Sequence, residues 1–166
     1  MTDVLATPDL LVRFRDRVDR DVTLSRQLVQ MAQLDGADVV YVARHDGRVP
    51  FASSAAVGDR RPATSTALGY ALLARTDDDD ATSETDATDA TARRAVEEAR
   101  RTGWALDRSG EHPSVYGMAV AIDGTPYAIG AALVETFGTS VDVESSGRYR
   151  SVLTALRRIA SEFASK

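Results

Sequence analysis

The sequence has no cysteine, one tryptophan, two histidines and no apolar run near the roughly 18 residues that span a bilayer. Without cysteine there is no disulfide and no thiolate metal site, and a cytoplasmic location is the expected one. Nothing at the N-terminus reads as a signal peptide, and no membrane contact is expected. The scarcity of histidine weighs against hydrolytic chemistry. His45 sits in "RHDG" and His112 in "GEHP", and the chain has no Gly-x-Ser-x-Gly elbow for either to serve. Walker and Gly-x-Gly-x-x-Gly patterns are missing too, so no nucleotide cofactor is implied. An enzyme is therefore not expected. Basic excess is also lacking. Seven of the 25 acids lie between Asp77 and Asp89, leaving 18 against 20 basic residues, a balance of +2. A nucleic-acid-binding face needs more than that.

What the 166 residues do contain is enough apolar material, 43%, for one domain with a real core. Leu11, Phe14, Val18 and Val22 recur at helical spacing and predict a long first helix from about Pro8 to Ser25. Period-two alternation broken at Asp35-Gly36 and Asp46-Gly47 predicts three antiparallel strands near 26–34, 38–44 and 48–53. A second helix is expected over about Ser65–Arg75, and a small-faced third over Thr88–Thr102, ended by Gly103. "WALDRSGEHPS" reads as a partly extended link. The strands "VYGMAVAI" and "PYAIGAALVET" follow, joined at Asp123-Gly124. A long C-terminal helix carries one stripe of Tyr149, Val152, Leu153, Leu156, Ile159, Ala160 and Phe163. The class is α+β: an antiparallel sheet with helices packed on its faces.

Two stretches raise the question of a site. In the acidic run, residues 76–88 should form a solvated loop. Its oxygens fall near calcium-loop spacing, but Ser83 stands where glycine is needed and Asp89 replaces the bidentate glutamate, so no metal is expected. The other stretch is "VGDRRPATSTALGYALLAR". Pro62, Thr64, Ser65 and Thr66 read as a helix start, its hydroxyls facing the first unpaired N–H groups. Gly69 then costs about 1 kcal/mol against alanine in the helix, which implies close approach of a packed strand or of a ligand.

Together, "LDGADVVYVAR", "SAAVGDRRPATSTALGYALLA", "RRTGWALDRSGEHPSVYGMAVAI" and "PYAIGAALVE" resemble, in order and spacing, the effector-binding domain of IclR-type transcriptional regulators. The resemblance runs from about Leu10 to Phe163. It implies a GAF-like fold for the single domain 1–166 and a sensor of small organic acids. It also implies a homodimer or tetramer, with DNA contacted only through a winged-helix domain that this chain does not contain. The residues it implies for the ligand site are Ala67 and Leu68 on the second helix, Asp107, Val115 and Gly117 after it, and Ala131 and Leu133 on the last strand. Phe51 and Arg61 are implied at the rim. A helix N-terminus suits a carboxylate. Tyr70 stands where a lysine is usual, and Ala131 and Leu133 stand where hydroxyl residues are common, which points to a more apolar ligand or a degenerate pocket. On the residues alone, Leu68, Val115 and Leu133 read equally well as core, Asp107 as a turn cap and Arg61 as a solvated arginine. The alternative functions are a stand-alone GAF-like binding protein and, less in keeping with the residues, a small enzyme on the same fold.

Overall fold

The computed structural model describes residues 6–48, 55–76, 90–108, 115–134 and 147–165. In chain order the elements are α1 (Pro8–Arg20), β1 (Leu28–Asp35), β2 (Asp38–His45), β3 (Arg60–Pro62) and α2 (Ala67–Leu73). Then follow α3 (Ala90–Thr102), β4 (Ala105–Asp107), β5 (Val115–Ala121), β6 (Tyr127–Val134) and α4 (Gly147–Phe163). The six strands form one antiparallel sheet in the order β3-β2-β1-β6-β5-β4. One face packs on α1 and α4, the other on α2 and α3, each with its own apolar cluster. This is the α+β arrangement that the sequence predicts.

The hairpins form where Asp-Gly pairs predict them. Asp35 pairs with Asp38 across Gly36, and Gly36 and Gly124 take positive φ (63° and 71°) that L side chains rarely adopt. The strand expected at 48–53 lies, apart from Arg48, outside the described residues. Arg48 itself follows the turn at Gly47, and its N–H donates to the Arg26 carbonyl at 3.3 Å. The strand that pairs with β2 is instead Arg60–Pro62, so Pro62 closes an edge strand and leads into a 3₁₀ turn, and does not open the second helix itself. Proline is tolerated there because an edge strand needs no ladder donor on its outer side.

The first helix is shorter than its periodicity implies. Asp21 adopts extended backbone (φ −81°, ψ 121°), and its carboxylate accepts from the N–H groups of Thr23 (2.9 Å) and Leu24 (2.8 Å), opening a short 3₁₀ turn over Leu24–Arg26. A side-chain acceptor of this kind offers the backbone an alternative to the helix ladder. Val22, expected on the apolar stripe, is consequently 79% exposed. The Asp21 side chain is buried and also pairs with Arg158 of α4, tying the end of α1 to the last helix.

Burial alone would raise the Asp21 pKa, but bonds from Leu24, Arg158 and Thr23 outweigh it and hold the carboxyl below its ordinary range. A depressed carboxylate contributes stability above its unfolded pKa and loses it as pH falls through the folded one. Asp21→Ala is expected to lower stability by about 2 kcal/mol at pH 7. The gap from the parent should narrow below about pH 4, which urea denaturation across pH reads directly. A gap independent of pH would show that the charge does not carry the effect.

Candidate functional site

The start of α2 is where the implied site residues lie. Of the three hydroxyl residues before it, one caps the helix: Thr66 Oγ accepts from the Gly69 N–H at 2.9 Å. Ser65 donates instead to the Pro62 carbonyl at 2.9 Å, within the 3₁₀ turn Ala63–Ser65 that precedes the helix. The Tyr70 hydroxyl donates to the Thr64 carbonyl at 3.2 Å. With seven residues and one terminal donor already taken, α2 is too short to serve as an anion site by its dipole alone.

Gly69 is explained by the protein itself. A Cβ there would overlap the Ala63 carbonyl and lie 2.6 Å from Ala63 Cα. The close approach implied by the sequence is that of the chain's own preceding turn, neither a strand nor a ligand. On the sheet side, α2 sits in hollows left by two more glycines. A Cβ at Gly117 would lie 3.3 Å from Ala67 Cβ, and one at Gly130 would lie 3.2 Å from Leu68 Cδ2. The helix start is therefore pressed onto β5 and β6.

Four of the implied residues come together here. Ala67 and Leu68 are buried on the sheet-facing side of α2. Gly117 lies beneath Ala67, and Asp107, its partner in the β4–β5 pairing, is 3.7 Å from the Gly117 Cβ position. Val115, two residues from Gly117 and half-buried, shares that face. Arg61 joins from the far edge: it is opposite Val39 in the β2–β3 pairing, and Val39 belongs to the α2-side cluster. Phe51 lies outside the described residues, as do His112, the acidic stretch from Asp77 onward and the first two residues of the expected third helix.

Ala131 and Leu133 do not join this group. Both belong to the opposite cluster, with Met31, Met118, Leu156 and Ile159. Leu133 is fully buried. The residues of β6 that face α2 are one step away: Ala128, Gly130 and, by alternation, Ala132. β6 is apolar on both faces, so its sequence holds no alternation to fix the phase, and a one-residue slip exchanges the two sets completely.

Tyr41 was not singled out in the sequence and lies in the same cluster as Ala67 and Leu68. β2 carries a bulge at Val42: Met31 pairs with Ala43 and Ala32 with Tyr41, which leaves Val42 as the extra residue. Both Val42 and Ala43 enter the α1/α4 cluster, while Val39 and Tyr41 face α2. Tyr41 is 5% exposed. Burial pushes its phenol above the ordinary range. Arg61 pulls it back, and Asp107 and Asp59 push it up further. In a flat sheet Asp107 on β4 would be about 19 Å from β2, four strand spacings away. α2 nonetheless touches both β2 and β4, so the sheet curls around it.

A cavity of about 190 Å³ opens at the other end of α2, between Ala71, Arg75, Ala99, Arg100, Trp104 and Asp123. Its cations have structural work. Arg75 donates to the carbonyls of Ile122 and Thr125 at 2.9 Å each, and burial lowers its pKa against the pull of Asp123. Arg100 donates to the Ala74 and Thr76 carbonyls at 3.3 and 3.4 Å. His45 is likewise structural, lying between the Ser25 carbonyl (2.9 Å) and Asp19 (3.2 Å). No group of three or more metal-ligating side chains occurs among the described residues.

A sequence model described as bacterial transcriptional regulator IclR C-terminal matches residues 2–164. The chain belongs to the IclR family. No curated protein sequence matches it. Among solved structures, the IclR-family fold recurs in the repressor BlcR of Agobacterium tumefaciens, with TM-score 0.73 and 18% identity, covering 95% of this chain and 68% of that one. It recurs in the C-terminal domain of the E. coli transcriptional regulator KdgR, with TM-score 0.69 and 18% identity over 95% of this chain and 99% of that one. The Thermotoga maritima IclR gives TM-score 0.70 and 16% identity over 95% and 69%. The chain thus spans about two thirds of the longer of these proteins. Domains of this family are regulatory and non-enzymatic, and they bind small-molecule effectors and oligomerise, with DNA held by another domain. Among the described residues no helix is long and apolar enough to cross a membrane.

Proposed function

We propose that this chain is the effector-sensing part of a cytoplasmic IclR-family regulator. It takes a small carboxylic acid beside the start of α2 and signals through the arrangement of its dimer or tetramer. The observation that carries this reading is the Arg61 side chain. It is half-buried on the α2-facing side and makes no ion pair or hydrogen bond among the described residues, and its charge acts on Tyr41. Most arginines close to this domain's core are committed to carbonyls or carboxylates, as Arg75 and Arg158 are. One left with an open fork on the sheet face that carries α2, the face of Ala67, Leu68, Val115 and Gly117, fits a carboxylate on a small apolar skeleton.

The test is a thermal-shift screen against aromatic and aliphatic acids, followed by calorimetric titration. An acid at 100 times its Kd should stabilise the fold by about 2.7 kcal/mol. For a domain of this size that is a rise of about 5–10 °C. Arg61→Ala should abolish the response and leave the melting temperature of the unliganded protein within about 2 °C. Sedimentation with and without the acid then reads the oligomer. A response that Arg61→Ala keeps in full would place the ligand elsewhere.

A further inference from the structure

We propose that the Tyr41 hydroxyl is a specificity-determining donor of this site, giving a hydrogen bond to a ligand carboxylate that Arg61 holds from the other side. The inference rests on the site reading above and goes beyond it in naming the group that selects an oxygen acceptor over an apolar ligand. Two tyrosines are buried in the cluster around α2, one on β2 and one on α2 itself, and they differ. Tyr70, 2% exposed, gives its hydroxyl to the Thr64 carbonyl. Tyr41, 5% exposed, has no hydrogen-bond partner for its hydroxyl among the described residues. Its backbone is fully engaged, with the N–H donating to Asp59 O at 3.1 Å and the carbonyl accepting from Gly58 at 2.8 Å, so the strand has no freedom to swing the ring out to solvent.

A buried phenol without a partner is an unmet donor, and native structures rarely keep one unless something else meets it. Tyr41 shares its apolar cluster with Ala63, Ala67 and Leu68 and pairs with Ala32 across β1–β2, and none of these side chains can accept its proton. The charges that reach it are Arg61, Asp107 and Asp59. A neutral phenol is the form these surroundings favour at pH 7, which makes the group a donor. A carboxylate has two oxygens, one to accept from the phenol and one to pair with the guanidinium. An apolar ligand would satisfy neither group.

The probes are benzoate, butyrate and pyruvate, titrated calorimetrically into the protein and into Tyr41→Phe. The variant keeps the ring and removes only the hydroxyl. Its melting temperature is expected to equal or exceed that of the parent, because no protein partner is lost. Its Kd for the acid that binds the parent is expected to rise about tenfold or more. A Tyr41→Phe protein that melts several degrees lower would show that the hydroxyl is bonded within the fold, which overturns the assignment. An unchanged Kd for an acid that Arg61→Ala no longer binds overturns it as well and leaves the proposed function standing. No binding of any probe to the parent defeats the proposed function and this inference with it.

Discussion

Gly69→Ala should destabilise the domain by about 3 kcal/mol, a fall of about 10 °C in melting temperature for a domain of this size. The added methyl meets backbone, the Ala63 carbonyl and Cα, and not the movable end of a side chain. Nor can α2 retreat. Ala67 already touches the Gly117 hollow and Leu68 the Gly130 hollow, so lifting the helix from the 63–65 turn drives it into β5 and β6. Alanine's better helix propensity returns about 1 kcal/mol, too little to offset the overlap. Adding Ala63→Gly should not rescue the variant, since the clash is with atoms that glycine also has. Gly147→Ala is the control. Its Cβ would meet nothing within 4 Å at the start of α4, and it should be neutral or stabilising by up to about 1 kcal/mol. Chemical denaturation that finds Gly69→Ala within 1 kcal/mol of the parent would mean the close approach is not kept in solution.

That glycine also marks how far the sequence can be read. The presence of a close approach was legible, because a helix tolerates glycine only at a cost. What approaches was not, because the partner is a turn six residues upstream whose path depends on an edge strand, Arg60–Pro62, with no apolar alternation to announce it. The β1–β2 and β5–β6 hairpins and the α4 stripe were legible for the opposite reason: turn chemistry and periodicity agree there. The end of α1 was hidden because Asp21 ends the helix with a side-chain bond while the apolar spacing runs on through Val22. Site residues followed the same division. Ala67, Leu68, Asp107 and Gly117 were placed by the resemblance and are brought together by the fold. Tyr41 was missed because "VVYVA" is apolar throughout, and the bulge at Val42 that settles which way the ring faces leaves no mark in composition.

The same loss of phase decides the outcome at Leu133. If Leu133 lined the ligand site, Leu133→Ser would restore a hydroxyl there and change ligand preference at modest cost. Its side chain instead lies in the α1/α4 cluster, fully buried between Met31, Met118 and the last helix. Serine at that position leaves a cavity and buries a hydroxyl among apolar neighbours, a combined cost of about 4 kcal/mol or more. Against a typical total of about 5–15 kcal/mol, that brings the domain close to unfolding at 37 °C. Ala132→Ser is the matched substitution one step along. Ala132 is half-buried, pairs with Gly117 and faces α2, so a hydroxyl there is expected to cost less than about 1 kcal/mol. Of the two, only Ala132→Ser should alter the ratio of affinities for a polar and an apolar acid. Urea denaturation of both variants measures the first contrast and calorimetric titration the second. Leu133→Ser and Ala132→Ser of equal stability would put the register of β6 one residue from where the structure has it, and with it the whole floor of the site.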